Sequence, residues 1–302
     1  MKLLLSLLVA AQIQTTSPIQ LQLEDEGKTV INVNRSEFET TPYPEFIINE
    51  EKLNELFVKL NEKLSLKPIN ATLNEHGSIV SEQNGKMVDQ GKFKKEFYEA
   101  FYKNKPASME IPFRLVYPKV DSELLEKIKR KRISHYVTYF NSRNKERVHN
   151  IKLASEALNN HVVFPGETFS FNRVVGKRTA AKGYMPAPVI VKGELTEGVG
   201  GGICQVSSTL FNAVDRAGVK ILERYSHSRR VPYVPPKRDA TVSWYGPDFT
   251  FKNQHNQPLL IRSRVVGGQM IIMIFSSEDL DFNRKNVPSA PDNIPKETTR
   301  FE

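Results

Sequence analysis

The sequence is poor in cysteine and tryptophan: its 302 residues include one of each, Cys204 and Trp244. A single cysteine excludes an intramolecular disulfide, so the fold must be held together by its apolar core. The histidines show no metal-ligand spacing, so we expect neither a metal nor a cofactor.

The N-terminus lacks an apolar run long enough for a membrane-spanning helix. Leu3–Ala11 is far shorter than the roughly 20 residues that such a helix needs. A basic residue, Lys2, precedes the run and small residues end it, which is the layout of a signal peptide. We therefore expect residues 1–11 to be a signal segment and the protein to be exported and associated with the wall or membrane. In the alternative, the segment is an uncleaved anchor and the only contact with the membrane.

The charge is unbalanced, with 43 Lys and Arg against 34 Asp and Glu and a formal net charge of +9. This balance favours anionic partners. No motif in the sequence indicates nucleic-acid binding, because zinc-ligand spacing and RNP-type strands are absent. Outside the membrane of a bacterium with a thick wall, the anionic partners that we expect are wall polymers and lipid headgroups. An apolar content of 39% and a charged content of 25% are those of a globular protein.

The first half of the chain predicts a small α+β module. Residues 12–47 are polar and lack a sustained period, so we expect a linker. Two helices are predicted over 48–66 and 91–102 by apolar residues three or four apart, namely Leu53, Leu56, Leu60 and Leu64 in the first and Phe93, Phe97 and Phe101 in the second. Turn signals between the helices indicate short strands, and a strand over 109–116 closes the module, which we place at residues 48–119.

The remaining boundaries follow from charge and composition. The segment SELLEKIKRKR predicts a charged helical linker within residues 120–135. Residues 259–266 and 269–275 alternate around Gly267-Gly268, which predicts a β-hairpin. Residues 276–302 are polar and rich in proline, so we expect a disordered tail.

Long sequence blocks between these boundaries resemble the VanW family. The similar segments are YFNSRNKERVHNIKLASEALNNHVVFPGETFSFNRVVGKRT, GGGICQVSSTLFNAVDRAG, ERYSHSRRVPYVPPKRDATV and PDFTFKN, within residues 136–275. The module at 48–119, with NATL, NGKMVD and IPFRLVYPKV, resembles the peptidoglycan-binding domain that commonly precedes VanW domains. The resemblance implies an envelope context, named from glycopeptide-resistance loci, and an α+β fold with a mixed α/β VanW domain.

The segment GGGICQVSSTL is where we expect the chemistry to be centred. Gly200, Gly201 and Gly202 allow backbone conformations and close approaches that other residues do not. A helix is predicted from Ile203 to Ala217, stopped by Gly218. One stripe of it is apolar, and Cys204 with Ser208 falls on the opposite face. A thiol in the first turn feels the positive end of the helix dipole, which lowers its pKa.

A cysteine nucleophile needs a base and an orienting group, and the sequence offers His227 and Asp239. Residues 240–245 predict a strand next to Asp239. The order Cys, His, Asp resembles transglutaminase and papain-like enzymes, although the spacing from Cys204 to His227 is short and Gln205 stands where those enzymes carry an aromatic residue. In the alternative, Cys204 is a small buried residue and the other two bind backbone groups.

Other polar residues are candidates for substrate contacts. Glu167 could act as a glycan-cleaving acid with Asp239 or Asp248 as its partner, or could be a turn residue after Pro165-Gly166. Arg178 could clamp a carboxylate or phosphate, or pair structurally with a neighbouring strand. The full set of expected substrate-binding residues is Gly200, Gly201, Gly202, Gln205, Ser207, Arg178, Asn172 and Glu167.

Three functions remain open on these observations. The first, implied by the resemblance, is a protein that binds peptidoglycan, its precursors or anionic wall polymers and contributes to wall maintenance or glycopeptide tolerance. In its enzyme version it is a thiol-dependent amide hydrolase or acyltransferase with Cys204, His227 and Asp239 as its catalytic residues. The second is a glycan-cleaving enzyme that uses Glu167 or Asp239. The third is a binding module without catalysis.

Overall fold

The structure is a computed structural model that describes residues 19–40, 47–103, 105–191 and 194–293. The expected signal segment at 1–11 lies outside the described residues. The chain divides into two compact units, Met1–Asn70 with Glu82–Lys119, and Ala71–Ser81 with Val120–Glu302. None of the helices in the described ranges combines the length and the apolar content needed to cross a membrane.

Helices and strands alternate irregularly along the described residues, which confirms the α+β prediction. The α-helices are α1 (Glu50–Leu64), α2 (Gln90–Tyr102), α3 (Ser122–Ile128), α4 (Lys145–Leu158), α5 (Phe171–Val175) and α6 (Ile203–Arg216). The strands are β1 (Gln20–Asp25), β2 (Lys28–Asn34), β3 (Thr72–Leu73), β4 (Ile79–Val80), β5 (Gly85–Val88), β6 (Ala107–Glu110), β7 (Phe113–Val116), β8 (Lys131–Tyr139), β9 (His161–Val163), β10 (Thr168–Ser170), β11 (Pro186–Val191), β12 (Glu194–Val199), β13 (Lys220–Glu223), β14 (Thr250–Lys252), β15 (Leu259–Val266) and β16 (Gln269–Ser276).

In the first unit, α1 and α2 cover a sheet in the order β2-β1-β6. Both helices form where the apolar spacing predicts them, and each has a side-chain N-cap, Asn49 for α1 and Asp89 for α2. The single strand expected over 109–116 is instead two strands, β6 and β7. The break falls at Ile111-Pro112, where proline cannot donate to a strand ladder.

The linker expected over residues 12–47 is wrong for residues 20–34. These residues form the antiparallel pair β1 and β2, and β1 also pairs in parallel with β6. Leu21, Leu23 and Val33 are buried in the core of the first unit. The polar residues between them face outward. The composition of the segment is therefore polar, although its apolar residues alternate with the period of a strand.

The second unit is built on an antiparallel sheet in the order β8-β16-β15-β9. Helix α6 packs against β8 and β16, and α4 packs against β15 and α6. The predicted hairpin is confirmed as β15 and β16, and Gly267 and Gly268 turn between them with φ of +54° and +80°. A three-stranded sheet, β10-β14-β13, and the hairpin β11-β12 complete the frame around α6.

Two boundary predictions fail in the second unit. The charged helix ends at Ile128, and β8 starts at Lys131 with Ile133 and Tyr136 buried in the core, so residues 131–135 are not a linker. The tail expected to be disordered is packed over residues 276–293. Leu280, Val287 and Ala290 are buried in the core, and the Arg216 guanidinium donates to the Val287 carbonyl at 2.7 Å. The sequence did not predict this packing, because apolar residues that are isolated among polar ones form no periodic pattern.

Candidate functional site

The glycine run forms a tight, buried turn ahead of α6. Gly200 and Gly202 have φ of +92° and +105°, in the left-handed region that favours glycine. A Cβ on Gly201 would lie 2.7 Å from the backbone of Ala187, and one on Gly202 would lie 2.8 Å from Ile151 Cγ1. The turn therefore serves close packing. All three glycines are buried, and their contact with a ligand stays a prediction.

Helix α6 confirms the predicted element and its apolar stripe. It runs from Ile203 to Arg216, and Val206, Leu210 and Ala213 on the stripe are fully buried. The chain leaves the helix through Gly218, whose φ is +79°. Cys204 lies in the first turn, near the positive end of the helix, and the residue is only partly buried.

The opposite face of α6 is polar but buried, and it holds residues 238–240 in place. Ser207 Oγ donates to the Ala240 carbonyl at 2.5 Å, and Ser208 Oγ accepts from the Ala240 amide at 2.9 Å. Asn212 Nδ2 donates to the Arg238 carbonyl at 2.8 Å. These bonds replace the strand that the sequence predicts over 240–245, where the structure has only one bridge, between Thr241 and Tyr225.

The helix thereby presents Asp239 to His227. Asp239 Oδ2 lies 2.6 Å from His227 Nδ1 and also accepts from the His227 backbone amide at 2.6 Å. Both side chains are almost buried, with 8% and 5% of their surfaces exposed. A carboxylate beside Nδ1 keeps a proton on that nitrogen, so Nε2 is the ring nitrogen that is available to exchange a proton with another group. Arg224 holds the Asp239 carbonyl at 2.7 Å from the other side.

Cys204 and His227 perturb each other's ionisation. Burial acts to raise the pKa of the Cys204 thiol, but the nearby His227 ring and its positive charge outweigh burial, so the pKa is lowered. Burial acts to lower the pKa of His227, but Asp239 and Cys204 together raise it to about 9. These directions favour a thiolate beside an imidazolium, the form of a cysteine that is activated as a nucleophile.

Two further groups border the thiol, and a third, Arg178, is coupled to it electrostatically. Thr241 Oγ1 and the Val242 carbonyl oxygen lie 3.7 and 3.6 Å from Cys204 Sγ. Burial lowers the pKa of the Arg178 guanidinium, and a charge on Cys204 counteracts that effect. Arg178 Nη1 donates to Asn172 Oδ1 at 2.8 Å and to the Gly176 carbonyl at 3.1 Å.

Several expected substrate contacts have structural roles instead. Gln205 is 1% exposed and uses its amide on Thr138 and Tyr139, while its carbonyl accepts from Arg147. Ser207 is fully buried against the Ala240 carbonyl. Asn172 is 9% exposed and donates to two carbonyls of the 243–247 turn. Gln205 and Ser207 are therefore corrected from groove residues to parts of the frame.

The carboxylates proposed for glycan cleavage each have a separate partner. Glu167 Oε2 accepts from the Phe164 amide at 3.0 Å, as a turn residue does. Asp248 accepts from Ser170 Oγ at 2.5 Å and from the Asn172 amide at 2.9 Å, at the start of α5. Asp239 is engaged by His227. Within the described ranges, no three His, Cys, Asp or Glu side chains converge as metal ligands would.

Sequence reasoning named Cys204, His227 and Asp239, whose catalytic roles stay a prediction, and it missed the residues that position them. Ser208, Asn212, Thr241 and Val242 were not singled out as site residues. One signal was available: Cys204, Ser208 and Asn212 are four residues apart, so they share one face of α6. A polar face on a helix that is otherwise buried needs hydrogen-bond partners, and the segment after Arg238 supplies them.

Two family models match this chain, one in each half of the sequence. Residues 146–275 match a family described as "VanW like protein", and residues 7–109 match one described as "Putative peptidoglycan binding domain". A Bacillus subtilis (strain 168) protein, "Uncharacterized protein YoaR", is 56% identical over 278 residues, which cover 92% of this chain and 91% of that protein.

A second relative carries the family's name. The "Vancomycin B-type resistance protein VanW" of Enterococcus faecalis (strain ATCC 700802 / V583) is 38% identical over 81 residues, 27% of this chain and 30% of that protein. No solved structure matches the chain. The two domain matches, together with a relative that is similar along almost the whole chain, show that this protein belongs to the VanW family, as a cell-wall-associated member with a peptidoglycan-binding domain ahead of its VanW domain.

Proposed function

We propose that this protein is an exported thiol enzyme of the cell wall, which cleaves or transfers an amide bond in the peptide part of peptidoglycan or its precursors. The observation that carries the proposal is the buried His227–Asp239 pair, whose ring charge lowers the pKa of Cys204 in the first turn of α6. Export rests on the signal-like residues 1–11. A contribution to wall maintenance or glycopeptide tolerance rests on the family and is part of the same proposal.

The chemistry follows from the protonation states of the pair. The Cys204 thiolate attacks the carbonyl carbon of the amide, and the carbonyl electron pair moves onto oxygen. His227 gives its Nε2 proton to the nitrogen as the carbon–nitrogen bond breaks, which leaves a thioester and a free amine. Water or another amine then attacks the thioester. His227 takes the proton of this second nucleophile, and the released thiolate completes the cycle.

The start of α6 supplies stabilisation for the negative oxygen. The first-turn N–H groups of a helix have no acceptor within the helix and lie at the positive end of its dipole. The Cys204 amide belongs to this turn, next to the reacting sulfur. We assign it the role of a donor to the oxyanion of the tetrahedral intermediate.

The products of peptidoglycan treatment test the proposal. Protein starting at Gln12 is incubated with isolated peptidoglycan, with and without an added amine acceptor, and the soluble products are analysed by mass. New free amines, or new amide links to the acceptor, are the expected result. New reducing or anhydro sugar ends would point to glycan cleavage instead. Sedimentation with the wall without any product would leave a binding module.

Alkylation against pH is expected to show an activated thiol. Because the pKa of Cys204 is lowered, its thiolate persists at pH values where an ordinary thiol is protonated, so the reaction with iodoacetamide should begin at lower pH than for a free thiol. Asp239→Asn removes the carboxylate that keeps His227 charged, and the onset should move to higher pH. The measurement is the rate of mass increase at Cys204.

A matched change controls for the loss of an acidic side chain. Asp121→Asn alters the N-cap of α3, where asparagine caps as well as aspartate, and should leave the pH profile of Cys204 unchanged. An onset at the pH of an ordinary thiol in the unaltered protein would remove the basis of the proposed enzyme.

Glu167→Gln separates the thiol route from the glycan route. The Glu167 carboxylate only accepts a hydrogen bond from the Phe164 amide, and the glutamine carbonyl can accept the same bond. Release of amines from peptidoglycan should therefore stay within about twofold of the unaltered protein, since surface changes of this kind cost at most about 0.5 kcal/mol. Loss of activity in this variant would favour carboxylate catalysis.

A further inference from the structure

A cleft next to the thiol is lined by residues that the proposed chemistry does not use. Its volume is about 390 Å³, within the range of about 300 to 1,000 Å³ of small-molecule sites. The cleft is lined by Glu223, Tyr225, Ser226, Thr241, Gly246 and Pro247. Thr241 connects it to the reacting centre, because its Oγ1 lies 3.7 Å from Cys204 Sγ. The chemical groups attached to a ligand bound in this cleft would therefore lie beside the thiol.

One exposed aromatic residue lines this cleft, and two more belong to the turn that contributes Gly246 and Pro247 to its lining. Tyr225, a lining residue, is 52% exposed, and its backbone is paired with that of Thr241. Gly246, another lining residue, belongs to the turn in which its amide donates to the Ser243 carbonyl, and this turn carries Trp244 and Tyr245, which are 43% and 83% exposed. Exposed aromatic groups rimmed by polar residues mark binding sites more often than they occur by chance.

One of these rings is anchored although it is exposed. Lys177 Nζ lies 4.9 Å from the centre of the Tyr245 ring and donates to its hydroxyl at 2.5 Å. The anchor limits the rotation of the side chain and so reduces the entropy lost when a ligand packs on the ring. Burial of Tyr245 in the core would have served stability alone, whereas a fixed ring at the surface is available to a partner.

We infer that this cleft binds a sugar ring of the glycan strand, so that the protein acts on peptides that are attached to glycan. A hexosamine ring has an apolar face of C–H groups, which fits an aromatic wall, and hydroxyl and amide groups at its edge, which fit the polar side chains of Glu223, Ser226 and Thr241. The inference rests on the proposed function for the identity of the polymer. The binding of sugar can be measured without any catalysis.

The single tryptophan makes the test specific for this cleft. Trp244 is the only tryptophan in the chain, so the fluorescence of the full-length protein reports on this turn and not on the peptidoglycan-binding domain. The probe is a tetramer of N-acetylglucosamine. We expect it to shift or quench the emission of Trp244 in a saturable way, and equally in Cys204→Ala. A stem-peptide fragment that lacks sugar should have no such effect.

Two variants make the result decisive. Tyr225→Ala should weaken binding of the tetramer by about tenfold, the usual cost of removing an aromatic side chain that anchors a ligand. Val266→Ala changes a side chain of similar exposure, 55%, on the β15–β16 hairpin and should leave binding unchanged. Both variants should keep the circular dichroism spectrum of the unaltered protein.

Failure of the inference can be told apart from failure of the proposed function. If the tetramer leaves the emission unchanged at about 10 mM, above the range of weak millimolar sites, the cleft is not a sugar site. A response to the sugar-free peptide with none to the tetramer would identify a peptide groove and also overturn the inference. An unreactive Cys204 together with a saturable sugar response would overturn the proposed enzyme and leave the sugar site standing.

Discussion

Replacing Cys204 with alanine is expected to abolish the release of amines from peptidoglycan, with a loss of at least about 10³-fold. No neighbouring group can substitute for the sulfur. The Thr241 hydroxyl lies 3.7 Å from Sγ, but it lacks a base of its own. His227 and Asp239 would remain in place but would have no nucleophile to serve. The measurement is the rate of amine release, quantified by mass analysis of the soluble products.

Two controls give this result its meaning. Cys204→Ser keeps a group of similar size and should lose nearly as much activity, because a serine hydroxyl is far less acidic than the thiol that this site ionises. Leu222→Ala, at a side chain that is 48% exposed, should keep full activity. Retention of most of the activity in Cys204→Ala, with the fold intact, would exclude thiol catalysis and direct attention to the carboxylates.

The site could be predicted from the sequence only where its residues are unusual. Cys204 is the single cysteine, it follows three glycines and it starts a helix, so it stands out without a structure. His227 and Asp239 follow from what a thiol nucleophile requires. Their alignment is a different matter, because it depends on hydrogen bonds between α6 and residues 238–240. Contacts of this kind join residues more than 20 positions apart and leave no periodic pattern.

The fold shows the same limit. Helices α1, α2 and α6 and the hairpin β15-β16 were predictable because their apolar residues repeat with a regular period or flank a glycine turn. The strands β1 and β2 and the packed segment 276–293 were missed, since their buried residues are few and are embedded in polar sequence. Strand β8 was partly misread as the end of a charged helix, because KIKRKR forms helix and strand surfaces equally well.

Polar residues on α6 therefore connect the fold to the chemistry. Ser207, Ser208 and Asn212 are fully buried, and such groups are costly unless they are hydrogen-bonded. Their partners are backbone groups of Arg238 and Ala240, on either side of Asp239. The same helix thus places the thiol at its start and the carboxylate along its side. A change that disturbs the packing of α6 would therefore also disturb the alignment of Cys204, His227 and Asp239.

The packing of the glycine turn leads to the second large prediction. Gly201→Ala is expected to destabilise the second unit by about 3 kcal/mol, at the upper end of the cost of overpacking a core. The new Cβ would lie 2.7 Å from the backbone carbon and oxygen of Ala187, and backbone atoms cannot move aside as a flexible side chain can. Asn150 holds the turn from the other side, through bonds to the Gly201 and Met185 carbonyls at 3.1 and 2.9 Å.

Thermal unfolding measures this effect, with an expected fall in Tm of about 10 °C for a unit of this size. Gly246→Ala is the matched control, since Gly246 has no positive φ and its new Cβ would approach Ser243 only to 3.5 Å, an ordinary contact. Its Tm should stay within about 2 °C of the unaltered protein. Because Gly201 also lacks a positive φ, backbone strain cannot account for a difference between the two variants. Equal stability would mean that β11 and the glycine turn are not in contact, and Cys204 would then lack the rigid support that an activated nucleophile needs.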